Sequence, residues 1–111
     1  MREVIVGDAR EWLGSCGVVA GASFVTSLPD VSELSPMTLP AWRTWFVDTA
    51  AEVLRATPDD GVSVFFQTDV IEDGAWIDKA HLVQAAADRE HVPLLFHRIS
   101  CRFHAGTPLQ G

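Results

Sequence analysis

Ser27-Leu28-Pro29-Asp30 sets a hydroxyl and a carboxylate around a proline, directly after the apolar run Ala22-Ser-Phe-Val-Thr26. The segment is either the turn that the strand needs or a reactive polar edge displayed by it. Two other apolar runs end in short polar side chains: Glu3-Val-Ile-Val6 in Gly7-Asp8, and Val62-Ser-Val-Phe-Phe-Gln67 in Thr68-Asp69. Each group also has a plainer role. Pro29 and Asp30 are turn formers, Asp8 suits the cap of the helical segment that follows it, and Gln67 and Asp69 suit a solvated loop.

Other chemistries find less support. Ser27 stands at a strand end, as a hydrolase nucleophile would, but no Gly-x-Ser-x-Gly surrounds it. His81, His91, His97 and His104 form no His-Glu-x-x-His pattern and no helical pair with a Glu or Cys partner, so no metal site is expected. Neither the phosphate loop of nucleoside triphosphatases nor a Gly-x-Gly-x-x-Gly turn is present. A formal net charge of −7 disfavours sequence-blind binding to a phosphate backbone. Arg98 and Arg102, with His97 and His104 nearby, make either a local basic face on the last predicted strand or a solvated strand end. Cys16 and Cys101 lack Cys-x-x-Cys spacing and read as free thiols. With no apolar run near the roughly 18 residues of a membrane helix and no secretory leader at Met1-Arg2-Glu3, a cytoplasmic protein is expected.

The elements that would position these residues follow from periodicity. The 111 residues suit a single domain, spanning 1–104, with 105–111 as a tail. Strands are expected at Glu3–Val6, Ala22–Thr26, Val62–Gln67 and Pro93–Arg102, with a brief helix over Ala9–Leu13. Thr38 suits the cap of a long helix starting near Pro40, whose Trp42, Trp45, Phe46, Thr49, Ala50, Val53 and Leu54 form one apolar stripe. That stripe, like Trp76, is expected to pack rather than to stack on a base. Thr68–Gly74 reads as an acidic loop and Ala75–His91 as a second helix. Helices alternating with apolar strands predict an α/β fold, a mostly parallel sheet with flanking helices and right-handed crossovers. In such a sheet ligands lie beyond the carboxyl ends of the strands, where Gly7-Asp8, Thr26–Asp30 and Gln67–Asp69 would converge.

The segments "VIVGDAREWL", "ASFVTSLPD" and "VLRATPDDGVSVFF", in this order and separated by a Trp-containing helix, resemble the S-adenosylmethionine-dependent amino-methyltransferases of DNA, in the permuted group whose catalytic motif precedes the cofactor motif. The resemblance covers about the first hundred residues and implies a partial Rossmann-like fold with S-adenosylmethionine as cofactor. It places Ser27-Leu28-Pro29-Asp30 where the family has Ser-Pro-Pro-Tyr. Ser27 would be the side-chain acceptor of the target amine and Leu28 would supply the carbonyl acceptor. Pro29 would fix the turn, and Gly7, Asp8 and Thr26 would stand at the cofactor edge. Leu28 replaces the first proline and Asp30 replaces the aromatic residue that stacks on a flipped base, so Asp30 is expected to accept from a substrate amine or hydroxyl, for instance of a modified nucleoside in RNA. The family's Phe-x-Gly-x-Gly segment is absent from the 111 residues. The chain thus resembles the substrate-side half of such an enzyme, truncated or completed by a partner. The alternative is a non-catalytic α/β interaction module or subunit derived from a methyltransferase, with an exposed sheet edge that pairs with a second copy or a partner chain.

Overall fold

The computed structural model describes residues 2–34 and 36–99. It is a small α/β domain with two separate two-stranded sheets, one parallel and one antiparallel. β1 (Phe24–Thr26) pairs in parallel with β2 (Ser63–Phe65), Phe24 opposite Ser63 and Thr26 opposite Phe65. The connection between them carries a 3₁₀ turn, Val31–Leu34, and the long helix α2, Leu39–Ala56.

Helix α2 begins where the sequence predicts: Thr38 Oγ1 accepts from the Ala41 amide at 3.3 Å and Pro40 occupies the first turn. Its stripe buries Trp42, Phe46, Thr49, Ala50, Val53 and Leu54. Trp42 and Phe46 meet at a ring separation of 5.2 Å, tilted by 52°. Thr49 tolerates burial because its hydroxyl donates back to the Trp45 carbonyl at 2.7 Å.

The core lies between α2 and α3, Lys79–Arg89. Alanines 50, 51, 86 and 87 belong to this core. Small side chains let two helix backbones approach closely while Trp42, Phe46, Ile77 and Leu82 fill the remaining volume. Phe65 of β2 and Val70 pack against the same cluster. At its carboxyl end α3 closes with His91 in the left-handed region, φ 57°, and the Val92 amide bonded to the Ala87 carbonyl at 2.9 Å.

Five expectations require correction. Glu3–Val6 forms no strand: Val4, Ile5 and Val6 are exposed, Val6 by 95%. Residues 93–99 likewise lie in no strand, with Leu94, Leu95, Phe96 and Ile99 exposed, while 100–102 fall outside the described residues. β-Branched and aromatic side chains favour a strand only when a neighbouring strand and a packed face receive them, and no described residue pairs with either segment. The mostly parallel sheet is accordingly a single parallel pair. Finally, Thr68–Gly74 is not all loop, nor is Ala75–His91 all helix. β3 (Val70–Glu72) and β4 (Ala75–Ile77) form an antiparallel hairpin, and α3 starts only after it.

Helix α1, Ala9–Cys16, longer than expected, is capped by Asp8, whose Oδ1 accepts from the amides of Arg10 at 2.8 Å and Glu11 at 3.2 Å. Arg10 ties it to α2 through a two-pronged contact with Glu52, at 2.6 and 3.0 Å. Cys16 is a free thiol, whereas Cys101 lies outside the described residues, as do the tail 105–111, Arg102 and His104. Among the described residues no helix is long and apolar enough to cross a membrane, and no group of His, Cys, Asp and Glu could hold a metal ion.

Candidate functional site

Because β1 and β2 run parallel, the chain leaves both at the same end of the pair, and the segments Ser27–Asp30 and Gln67–Asp69 emerge side by side. The strand ladder continues past the last paired residues. Phe66 donates to the Thr26 carbonyl at 2.9 Å. Gln67 then takes over with its side chain: Oε1 accepts from the Leu28 amide at 2.7 Å and Nε2 donates to the Leu28 carbonyl at 3.1 Å. The fixed polarity of the Leu28 backbone sets the orientation of the Gln67 amide.

Leu28 itself is buried in the core cluster. The Pro29 carbonyl accepts from Trp42 Nε1 at 3.0 Å, anchoring the loop to α2. Asp30 opens the 3₁₀ turn, with Glu33 Oε2 accepting from the Asp30 amide at 3.1 Å and the Glu33 amide donating to the Asp30 carbonyl at 3.0 Å. These two bonds satisfy two backbone donors at once, with the Glu33 carboxylate reaching back as it would in a capping box while the Asp30 side chain stays free of the turn. Ser27 alone in the segment remains exposed.

The result is an open, polar cleft of about 280 Å³, lined by Ser27, Leu28, Pro29, Asp30, Glu33, Gln67, Thr68 and Lys79. All four residues that the resemblance makes catalytic line it. The Leu28 carbonyl, assigned as the backbone acceptor of the amine, already accepts one bond from Gln67 and keeps its second lone pair, whereas the Ser27 hydroxyl and Asp30 Oδ2 accept no side-chain bond among the described residues and are the less committed acceptors of that segment.

Lys79 is the site residue that the sequence did not reveal. It is the first residue of α3 and only 1% exposed. Its ammonium donates to Asp30 Oδ1 and to the Thr68 carbonyl, so that it joins the loop after β1 to the loop after β2. Burial pushes its ammonium below the usual lysine range despite the carboxylate beside it. No local pattern announces a buried lysine, since its burial depends on where the hairpin delivers the start of α3.

Asp69 serves a different purpose. Oδ1 accepts from the Lys79 amide at 3.0 Å and Oδ2 from Trp76 Nε1 at 3.1 Å, so it fixes the hairpin against the start of α3 and does not line the cleft. Gly7, Asp8 and Thr26 do not line it either. Thr26 ends β1 within the ladder. Asp8 caps α1, which Arg10 attaches to Glu52 in the later half of α2, while the cleft adjoins Trp42 at the beginning of that helix. Of the three residues expected at the cofactor edge, none meets Ser27–Asp30 in the cleft. No glycine lines the cleft to let a backbone approach a nucleoside closely. These residues fit an acceptor site and do not fit a grip on S-adenosylmethionine.

Comparison with protein-family models, with curated proteins and with solved structures finds no match to this chain.

Proposed function

We propose that this protein is an S-adenosylmethionine-dependent methyltransferase homologue, a partial Rossmann-like domain whose cleft holds the methyl acceptor, a nitrogen or oxygen nucleophile of a nucleic-acid base or a related small molecule. The supporting observation is the position of Ser27–Asp30: the segment that resembles a methyl-transfer motif opens at the carboxyl end of the parallel pair and lines one polar cleft with Gln67, Thr68 and Lys79. In this reading the chain's contribution is alignment. Ser27 and Asp30 accept hydrogen bonds from the nucleophile, and Trp42 and Gln67 hold their loop rigid. The grip on the cofactor comes from outside the described cleft, supplied by another segment or a partner chain. We also propose a cytoplasmic setting, in which Cys16 would stay a free thiol.

Calorimetric titration with S-adenosylmethionine tests the reading. The chain alone is expected to bind weakly at best; micromolar binding, with methyl transfer to an amine or hydroxyl acceptor lost in Ser27→Ala and Asp30→Ala, is the expected result once the segment or partner that supplies the cofactor grip is present. No heat at millimolar ligand, in the presence of any partner that co-purifies, overturns it.

One observation favours a second reading, a non-catalytic interaction module. Val25 and Phe66, at the parallel pair, are 69% and 66% exposed, and the apolar segments Val4–Val6 and Leu94–Phe96 lie exposed as well. A two-stranded sheet is a minimal structure with two open edges, suited to strand addition by a second copy or a partner. Sedimentation discriminates: a sharply monomeric species without a partner counts against the module.

A further inference from the structure

We infer that Lys79 is a positioning residue: by holding Asp30 Oδ1 and the Thr68 carbonyl together it fixes the cleft and presents the other Asp30 oxygen to an N–H or O–H donor of the bound molecule. This rests on the reading of the cleft as an acceptor site and adds to it the residue that fixes the acceptor and a preference for a neutral or cationic donor over a phosphate.

The argument starts from desolvation. A lysine ammonium withdrawn from water must regain its hydrogen bonds within the protein or lose its charge. Lys79, 1% exposed, has two such partners on two different loops, one charged and one backbone. Its own backbone is immobilised by Asp69 on the amide and by the start of α3. The ammonium is therefore a fixed point, and the loops are arranged around it.

Asp30 is bound on one side only. Its Oδ1 meets Lys79, its backbone is held by Glu33, and its side chain retains 26% exposure. Among the described residues Oδ2 has no protein hydrogen bond, and Asp30 lines the cleft. An ionised carboxylate only accepts hydrogen bonds, so the matching ligand group is a donor. Lys79 offsets the charge of Asp30, leaving Glu33 as the second carboxylate at the cleft. That balance suits a neutral or cationic donor such as an amine and disfavours a phosphate.

Two probes separate hydrogen-bond donation from simple charge attraction. Ethanolamine carries N–H and O–H donors, whereas tetramethylammonium is a cation with none. The ¹H–¹⁵N amide signals of Ser27, Asp30 and Thr68 report occupancy of the cleft. Ethanolamine is expected to shift them saturably in the wild type and in Lys79→Arg, which restores a cation of similar reach, and to bind at least tenfold more weakly in Lys79→Met. Tetramethylammonium is expected to leave them in place. Equal responses to both cations, or no response to either in the folded wild type, overturn the donor chemistry. Unaltered ethanolamine affinity in Lys79→Met overturns the positioning role. If Lys79→Met does not fold, Asp30→Asn takes its place: the amide offers one acceptor oxygen, and retention of full affinity by that variant would count equally against the inference. These outcomes are read without S-adenosylmethionine, so failure of the methyl-transfer reading in calorimetry remains distinguishable from failure of this one.

Discussion

Gln67 and Leu28 are joined twice, amide oxygen to backbone N–H and amide nitrogen to backbone carbonyl, in the manner of two paired strands although one partner is a side chain. The ladder between β1 and β2 thereby extends into a region where neither chain segment is a strand. It also leaves Ser27, one residue earlier, free of this ladder and open to the cleft.

Replacing Gln67 by Leu removes both bonds and leaves the half-buried Leu28 backbone polar groups without their partner. The expected cost is about 1–3 kcal/mol, read as a lower urea midpoint at unchanged slope, with faster hydrogen exchange at the Leu28 amide. Gln67→Glu retains the bond to the N–H but turns a carboxylate oxygen toward the Leu28 carbonyl, so it should not rescue the loop at neutral pH. Unchanged exchange at Leu28 in both variants would refute the splice.

The contact between Arg10 and Glu52 gives a pH dependence with a definite sign. The hydrogen bond from Arg10 holds the Glu52 carboxyl below its ordinary value of 4.5. Stability from this pair is therefore fully present above that value and lost as pH falls through the lower, folded value. Both side chains are partly exposed, so the effect should stay below about 1 kcal/mol. Glu52→Gln should flatten the acid limb of the stability curve below about pH 4.5 and loosen α1, seen as faster exchange over Ala9–Cys16. An acid limb identical to wild type would show that the pair contributes nothing.

Gly61 precedes β2 at the point where its backbone passes Ala22, just ahead of β1. A Cβ there would overlap the Ala22 carbonyl oxygen and touch the Pro58 ring at 3.2 Å. Backbone cannot swing aside as a side chain can, so Gly61→Ala should cost about 1–3 kcal/mol by forced displacement and loosen the parallel pair. A thermal midpoint within a degree or so of wild type would refute that close approach.

Local patterns made α2 legible: a Thr cap, an early proline and a long apolar stripe each specify a helix without reference to the rest of the chain. The hairpin was legible in principle as well. Asp73 and Gly74 both have positive φ, 51° and 76°, which is the demand of a tight two-residue turn, and Asp-Gly between Val70-Ile71 and Trp76-Ile77 is its sequence signal. The acidic character of that stretch obscured the pattern. Glu3–Val6 and residues 93–99 have strand-like composition, but a strand is made by its neighbour, and composition carries no information about that. Within the site, Ser27–Asp30 stood out because its types and spacing are local. Lys79 did not, because a tertiary contact forty-nine residues apart gives it its place.

Among the described residues neither β1 nor β2 has a second strand beside it, and this has a consequence for the life of the protein in a cell. Extended, apolar and unbonded backbone is what chaperones and proteases recognise as unfinished folding. A chain that exposes Val25, Phe66, Val6 and Ile99 together is recognisable to that surveillance even in its folded form. If the protein is the interaction module of the second reading, its half-life should rise on co-expression with the chain that pairs with the sheet, and an unchanged half-life with every co-purifying protein would count against that reading.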